Sequence, residues 1–196
     1  MIEFSPVNQE PITSSEGLYF ISDGKAPENS LSETIKELVD KDPRWEDLYQ
    51  RSIEICKEYR VDFVVYDSSG TVDWDCTVER FKDNLSTLGW EVDENSKYPE
   101  IILSERNISS MVANAVSSPD NKVLHLKGSL DSAHLETLVH EYCHIKQIES
   151  GKALTPYERE FEAYTSSLQF STLNFIQDGK DPYEEFLKMV KVSAMR

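Results

Sequence analysis

Long apolar runs are missing from this chain of 196 residues. None approaches the ~20 residues that a membrane-spanning helix needs, so no membrane partner is expected. The first residues, Met1-Ile2-Glu3-Phe4-Ser5-Pro6, lack the basic start and apolar stretch of a secretory signal, which makes the cytoplasm the expected compartment. Cysteine is sparse and fits that expectation. Cys56, Cys76 and Cys143 are odd in number and far apart, which argues against a disulfide framework. Positive charge is scarce too. Lys and Arg number 20 against 36 Asp and Glu, a formal net charge of −16, and a phosphate-binding surface depends on cations. Nucleic acid is therefore not an expected partner. The acidic residues are dispersed among apolar ones, as on a solvated surface, rather than run together.

What is present suits a globular chain. Hydrophobic residues make up 39% and charged residues 29%, in a length that fits one domain with a core of its own. Residues 1–29 are polar, carry three prolines and read as an irregular N-terminal arm, with a short strand at 17–21; residues 30–196 form the domain. Ser30-Leu31-Ser32-Glu33 matches a capping box opening a helix to Asp40. Asp42-Pro43 starts a second helix, along which Trp45, Leu48, Tyr49, Ser52, Ile55, Cys56 and Tyr59 recur at helical spacing. Residues 61–66 read as a buried strand, 77–88 as a helix, 101–103 as another strand, and 107–117 with 123–127 as a hairpin. A helix capped by Ser129 or Asp131 runs to Gly151. Thr155-Pro156-Tyr157-Glu158 is a further capping box, whose helix is expected to reach Gln177, and Asp181-Pro182 opens a last helix to about Val190.

The 129–151 helix carries His140-Glu141-Tyr142-Cys143-His144, an H-E-x-x-H segment. Histidines four apart stand one turn from each other on one helix face, so both imidazoles can reach a single zinc ion. Glu141 then points toward water at that ion and is the candidate catalytic base. Cys143 is turned away from that face, into the core. A catalytic zinc site needs a third protein ligand. The next helix offers Glu158, Glu160 and Glu162, which point in three directions because successive helical residues turn by about 100°. Glu160 is the choice, because it lies in the second turn and Ala163 on its face lets two helices approach closely. Glu158 is taken by the capping box, and Glu162 is the second choice. His134, six residues before His140, reads as a surface residue.

A strand, an H-E-x-x-H helix and a following helix with Glu160-Phe161-Glu162-Ala163 at its start resemble the zincin metallopeptidases whose third ligand is a glutamate. In layout the chain is most similar to the ImmA/IrrE-type peptidases, over about residues 122–170. The resemblance implies a zincin-like α+β fold, in which a small, mostly antiparallel twisted sheet packs on the motif helix beside additional helices. It implies one Zn2+ per chain, held by His140, His144 and Glu160, with Glu141 as general base in peptide hydrolysis. It also implies a protein or peptide substrate bound in extended form along the strand near 123–127. Tyr164 stands where the family has Asp or Asn, which orients a ligand histidine. Tyr164, Tyr157 and His125 are the candidates for supporting a ligand or stabilising an oxyanion. Two other classes remain open: a degenerate zincin serving as an interaction module, and an acidic inhibitor or mimic of a basic partner's ligand.

Overall fold

The structure is a computed structural model that describes residues 18–21, 23–98, 101 and 114–195. It is an α+β protein with six α-helices and two small sheets among the described residues. Strands β1 (Tyr19–Phe20) and β2 (Val65–Tyr66) form an antiparallel ribbon, with Tyr19 stacked on Tyr66 at 5.7 Å. The second sheet has the order β3 (Glu91–Asp93), β5 (Val123–Leu126), β4 (Ala115–Ser118). It is mixed, because β5 runs parallel to β3 and antiparallel to β4. The one mostly antiparallel sheet expected from the sequence is thus two small sheets, one of them with a parallel pair. No helix is long and apolar enough to cross a membrane among the described residues.

Local chemistry explains where the helices start and stop. Helix α1 (Glu33–Lys41) is capped by Ser32, whose Oγ accepts from the Ile35 N–H, and not by Ser30, which sits in a 3₁₀ turn. Helix α2 (Pro43–Glu58) begins as expected, with Asp42 as cap and Pro43 at the first position. Asp73 caps α3 (Trp74–Thr87), three residues earlier than the apolar spacing suggests. The motif helix α4 (Leu135–Ser150) is preceded by a 3₁₀ turn at Leu130–Ser132, so His134 and not Ser129 or Asp131 holds the cap position. It ends at Gly151, whose φ of 63° is the left-handed turn that glycine adopts without a Cβ penalty. The Thr155/Glu158 capping box opens α5 (Pro156–Ser167), which stops ten residues short of the expected Gln177 in a 3₁₀ turn. Helix α6 (Pro182–Ser193) closes the described chain.

The strand read at 61–66 shrinks to two paired residues, although Val61, Phe63 and Val64 are buried as its apolar pattern requires. Of the strand read at 101–103, only Ile101 is described, and it is helical, its N–H bonded to the Lys97 carbonyl. Most of the N-terminal arm lies outside the described residues; Ile21 and Ala26 at its end belong to the core. Of the hairpin read at 107–117 and 123–127, residues 107–113 lie outside the described residues; the rest is present as β4 paired with β5, joined by a turn with Lys122 at φ 53°.

The core falls into two apolar clusters, the first of which holds the motif helix. One joins both sheets and α3 to Leu138, Val139, Tyr142, Cys143 and Ile145 of α4. Phe63 packs edge-on against both Phe81 and Tyr142 there, at 5.0 and 5.1 Å. The other joins α1, α2 and α6 around Trp45 and Phe186 and reaches the end of α5 at Leu168. Each fully buried aliphatic side chain on α4 contributes about 1.5–3 kcal/mol, so packing holds the apolar part of this helix and leaves the rest for polar residues.

Candidate metal centre

The polar part of α4 carries His140 and His144, and α5 packs across this helix with Ala163 fully buried. The absence of a larger side chain at Ala163 is what lets Glu160, one turn earlier, reach over α4. His140 Nε2 and His144 Nε2 are 3.1 Å apart, His140 Nε2 lies 3.6 Å from Glu160 Oε2, and His144 Nε2 lies 3.5 Å from Glu160 Oε1. Zinc bonds of about 2.0–2.1 Å at tetrahedral angles place donors about 3.3 Å apart. The three observed separations straddle that value, so the residues fit the ion. Two imidazoles and a carboxylate are also zinc's donor chemistry, whereas calcium and magnesium take oxygen. The three side chains remain 14–23% exposed, as an opening toward substrate requires.

Electrostatics point the same way. Burial pushes the His144 imidazole toward its neutral form, yet hydrogen bonding to Glu160 and the charges of Glu141 and Glu160 together raise its pKa above the ordinary value. Carboxylates that favour a proton at that nitrogen favour any cation there. Glu141 is turned by one residue from His140 toward β4, where its Oε2 accepts from Ser117 Oγ at 2.7 Å. It is 8% exposed, and burial lifts its carboxyl above the usual range against the pull of His144 and Ser117.

Sheet register decides which other expected residues reach the site. Ala115 and Ser117 of β4 lie opposite Leu126 and Leu124 of β5, on the face that packs against α4. Val116 lies opposite His125, so His125 belongs to the other face. Its Nδ1 sits 2.9 Å from Asp93 Oδ2 and 3.1 Å from Ser96 Oγ, and its ring packs on Tyr98. His125 is thus a sheet residue, away from the metal-binding face. The strand containing it is also the middle one, paired on both sides, so the edge expected at 123–127 is not there; β3 and β4 are the outer strands among the described residues.

A cleft of about 470 Å³ opens beside His140, Glu141 and Tyr164, walled by Asn114 and Ala115 on one side and by Thr172 and Asn174 on the other. Tyr164 rests its ring on His140 at 4.4 Å, and its hydroxyl is 2.8 Å from Ser193 Oγ. Its ring meets that of His140 edge-on, at an interplanar angle of 65°. Tyr157 is exposed, stacks on Phe161 and does not line the cleft. His134 is exposed at the cleft rim, outside the His140, His144 and Glu160 cluster.

Glu162 is not placed to be a ligand. It is 7% exposed and accepts from Tyr59 Oη at 2.5 Å, from Lys152 Nζ at 2.8 Å and from Gln147 Nε2 at 3.2 Å. Cys143 is fully buried, and its thiol is pushed well above the ordinary value by that burial. Two residues escaped the sequence reading. Ser117 carries no local signal, since only strand pairing brings it to Glu141. Gln147 does carry one, for it stands three residues after His144 on the same helix face. No family model matches the chain, and no curated protein or solved structure matches it.

Proposed function

We propose that this chain is a zinc-dependent metallopeptidase that hydrolyses peptide bonds of a protein substrate, working as zincins with a glutamate third ligand do. The observation that carries the reading is the triangle of His140, His144 and Glu160 donors, 3.1–3.6 Å apart, with Glu141 beside it. Bound there, zinc supplies a Lewis acid that polarises a carbonyl and lowers the pKa of water toward ~7. Glu141 accepts the proton of the attacking water and returns it to the leaving amine. Its burial suits that task, because a carboxyl lifted toward neutrality both takes and releases a proton readily. Ser117 keeps the carboxylate aimed by holding Oε2. Tyr164 fixes the plane of His140. An extended peptide would lie in the cleft along β4, lined there by Ala115 of the strand and by Asn114 just before it, and would bind by strand addition.

The test is a library of short unstructured peptides incubated with the protein and read by mass spectrometry. Cuts are expected once zinc is supplied and should stop when a chelator is added. Protein that is loaded with zinc yet cuts no member of the library would contradict the peptidase reading and leave the degenerate zincin in its place.

A further inference from the structure

We infer that Gln147 is a positioning residue of this centre, fixing His144 as the Nδ1–H tautomer so that Nε2 keeps its lone pair for the ion. The inference rests on reading His140, His144 and Glu160 as a metal site, and it deepens that reading.

Gln147 is 3% exposed, and its amide has contacts at both ends. Nε2 lies 3.1 Å from the Arg159 carbonyl and 3.2 Å from Glu162 Oε2, while Oε1 lies 3.0 Å from His144 Nδ1. A carbonyl and an ionised carboxylate can only accept, so the amide must present its NH₂ to both of them. The reverse orientation would face an amide oxygen with two acceptors. Oε1 is therefore fixed toward the imidazole, and an amide oxygen cannot donate. The proton between them must sit on Nδ1. In the neutral imidazole that a metal ion requires, Nε2, the atom that faces His140 and Glu160, is then the one without a proton.

The Arg159 carbonyl alone sets this orientation, and Glu162 reinforces it from a fixed position. Lys152 Nζ, which can only donate, is 2.8 Å from Oε1 and is itself 3.2 Å from Tyr59 Oη. Tyr59 donates to Oε2. The order of influence runs from α2 and the α4–α5 loop, through Glu162 and Gln147, to His144. Three alternating glutamates of α5 thus separate by role. Glu158 caps the helix, Glu160 faces the ion, and Glu162 holds the amide that holds a ligand.

The experiment measures Zn2+ affinity by competition with a chromophoric chelator for wild type and Gln147→Met, which keeps volume but removes both ends of the amide. Thermal unfolding of the metal-free proteins checks that the variant folds. Affinity should fall about 10–100-fold in Gln147→Met. Nitrogen-15 NMR of the imidazoles adds a readout that needs no variant. In zinc-loaded wild type the His144 Nδ1–H should be visible and slow to exchange, and in Gln147→Met it should exchange with water. Affinity within twofold of wild type in a folded variant, or a wild-type His144 without a proton on Nδ1, overturns the inference. Wild type that takes up no zinc instead overturns the metal-site reading, and the metal-free spectrum still decides the Nδ1 proton.

Discussion

Replacing Glu141 by glutamine separates chemistry from architecture at this site. Glu141 sits 8% exposed with its Oε2 on the Ser117 hydroxyl at 2.7 Å. Glutamine fills the same volume and keeps an oxygen that accepts the Ser117 hydrogen bond. What it loses is the ability to take up a proton. Loss of a positioned general base costs about 10²–10⁴ in kcat, which corresponds to about 2.7–5.5 kcal/mol of transition-state stabilisation. Folding stability should change little, because a charge that burial disfavours is removed and the Ser117 hydroxyl keeps its acceptor, which offsets the loss of the carboxylate's contact with the Ser117 backbone. Metal should also stay, since Glu141 is not among the three clustered donors. The assay is the initial rate of peptide cleavage by zinc-loaded protein, with zinc content and Tm measured on the same samples. A kcat lowered less than tenfold would remove Glu141 from the mechanism. Loss of zinc together with activity would show that its role is structural.

Two further outcomes follow from the supporting residues. Burial alone would raise the Glu162 carboxyl, but hydrogen bonds from Lys152, Tyr59 and Gln147 hold it below the usual value of 4.5. A carboxyl depressed on folding contributes stability that is complete above its unfolded pKa and is lost as pH falls through the folded one. Urea unfolding of Lys152→Met should therefore show a loss on the order of 1–3 kcal/mol at neutral pH, and this deficit should narrow below about pH 4.5 as the wild type loses the same interaction. A deficit independent of pH would refute the charge argument. Gly151→Ala tests the end of the motif helix. An added Cβ meets nothing within 4 Å, so the cost comes from φ of 63° alone and should be about 1 kcal/mol in thermal unfolding. An unchanged Tm would mean that the helix end is not set by this turn.

Much of the site was legible in the sequence because its determinants are local. The four-residue spacing of His140 and His144, the Thr155/Glu158 box and the small Ala163 each act within one helix. They suffice to bring Glu160 to the two histidines, while Glu162, the second choice, is set apart only by its bonds to Tyr59, Lys152 and Gln147. Tertiary pairing was the part not legible. The run Val123–Leu126 reads as an edge or a middle strand with equal ease, and only the parallel addition of β3 makes it the middle one. That same register turns His125 to the far face and brings Ser117 to Glu141. Helix ends were misread where two polar residues compete for the cap, as Ser30 with Ser32. Tyr164 could be seen to depart from the Asp or Asn of the resembled family, but its packing on His140 and its bond to Ser193 of a distant helix could not.

The central claim is that α4 and α5 jointly hold one zinc ion, and metal analysis of protein purified without chelator tests it most directly. Wild type and His134→Ala, whose exposed imidazole lies outside the cluster, should each carry one zinc per chain, while His144→Ala and Glu160→Ala should carry none. Wild type that remains empty after equilibration with zinc, or a Glu160→Ala variant as fully loaded as wild type, would contradict it.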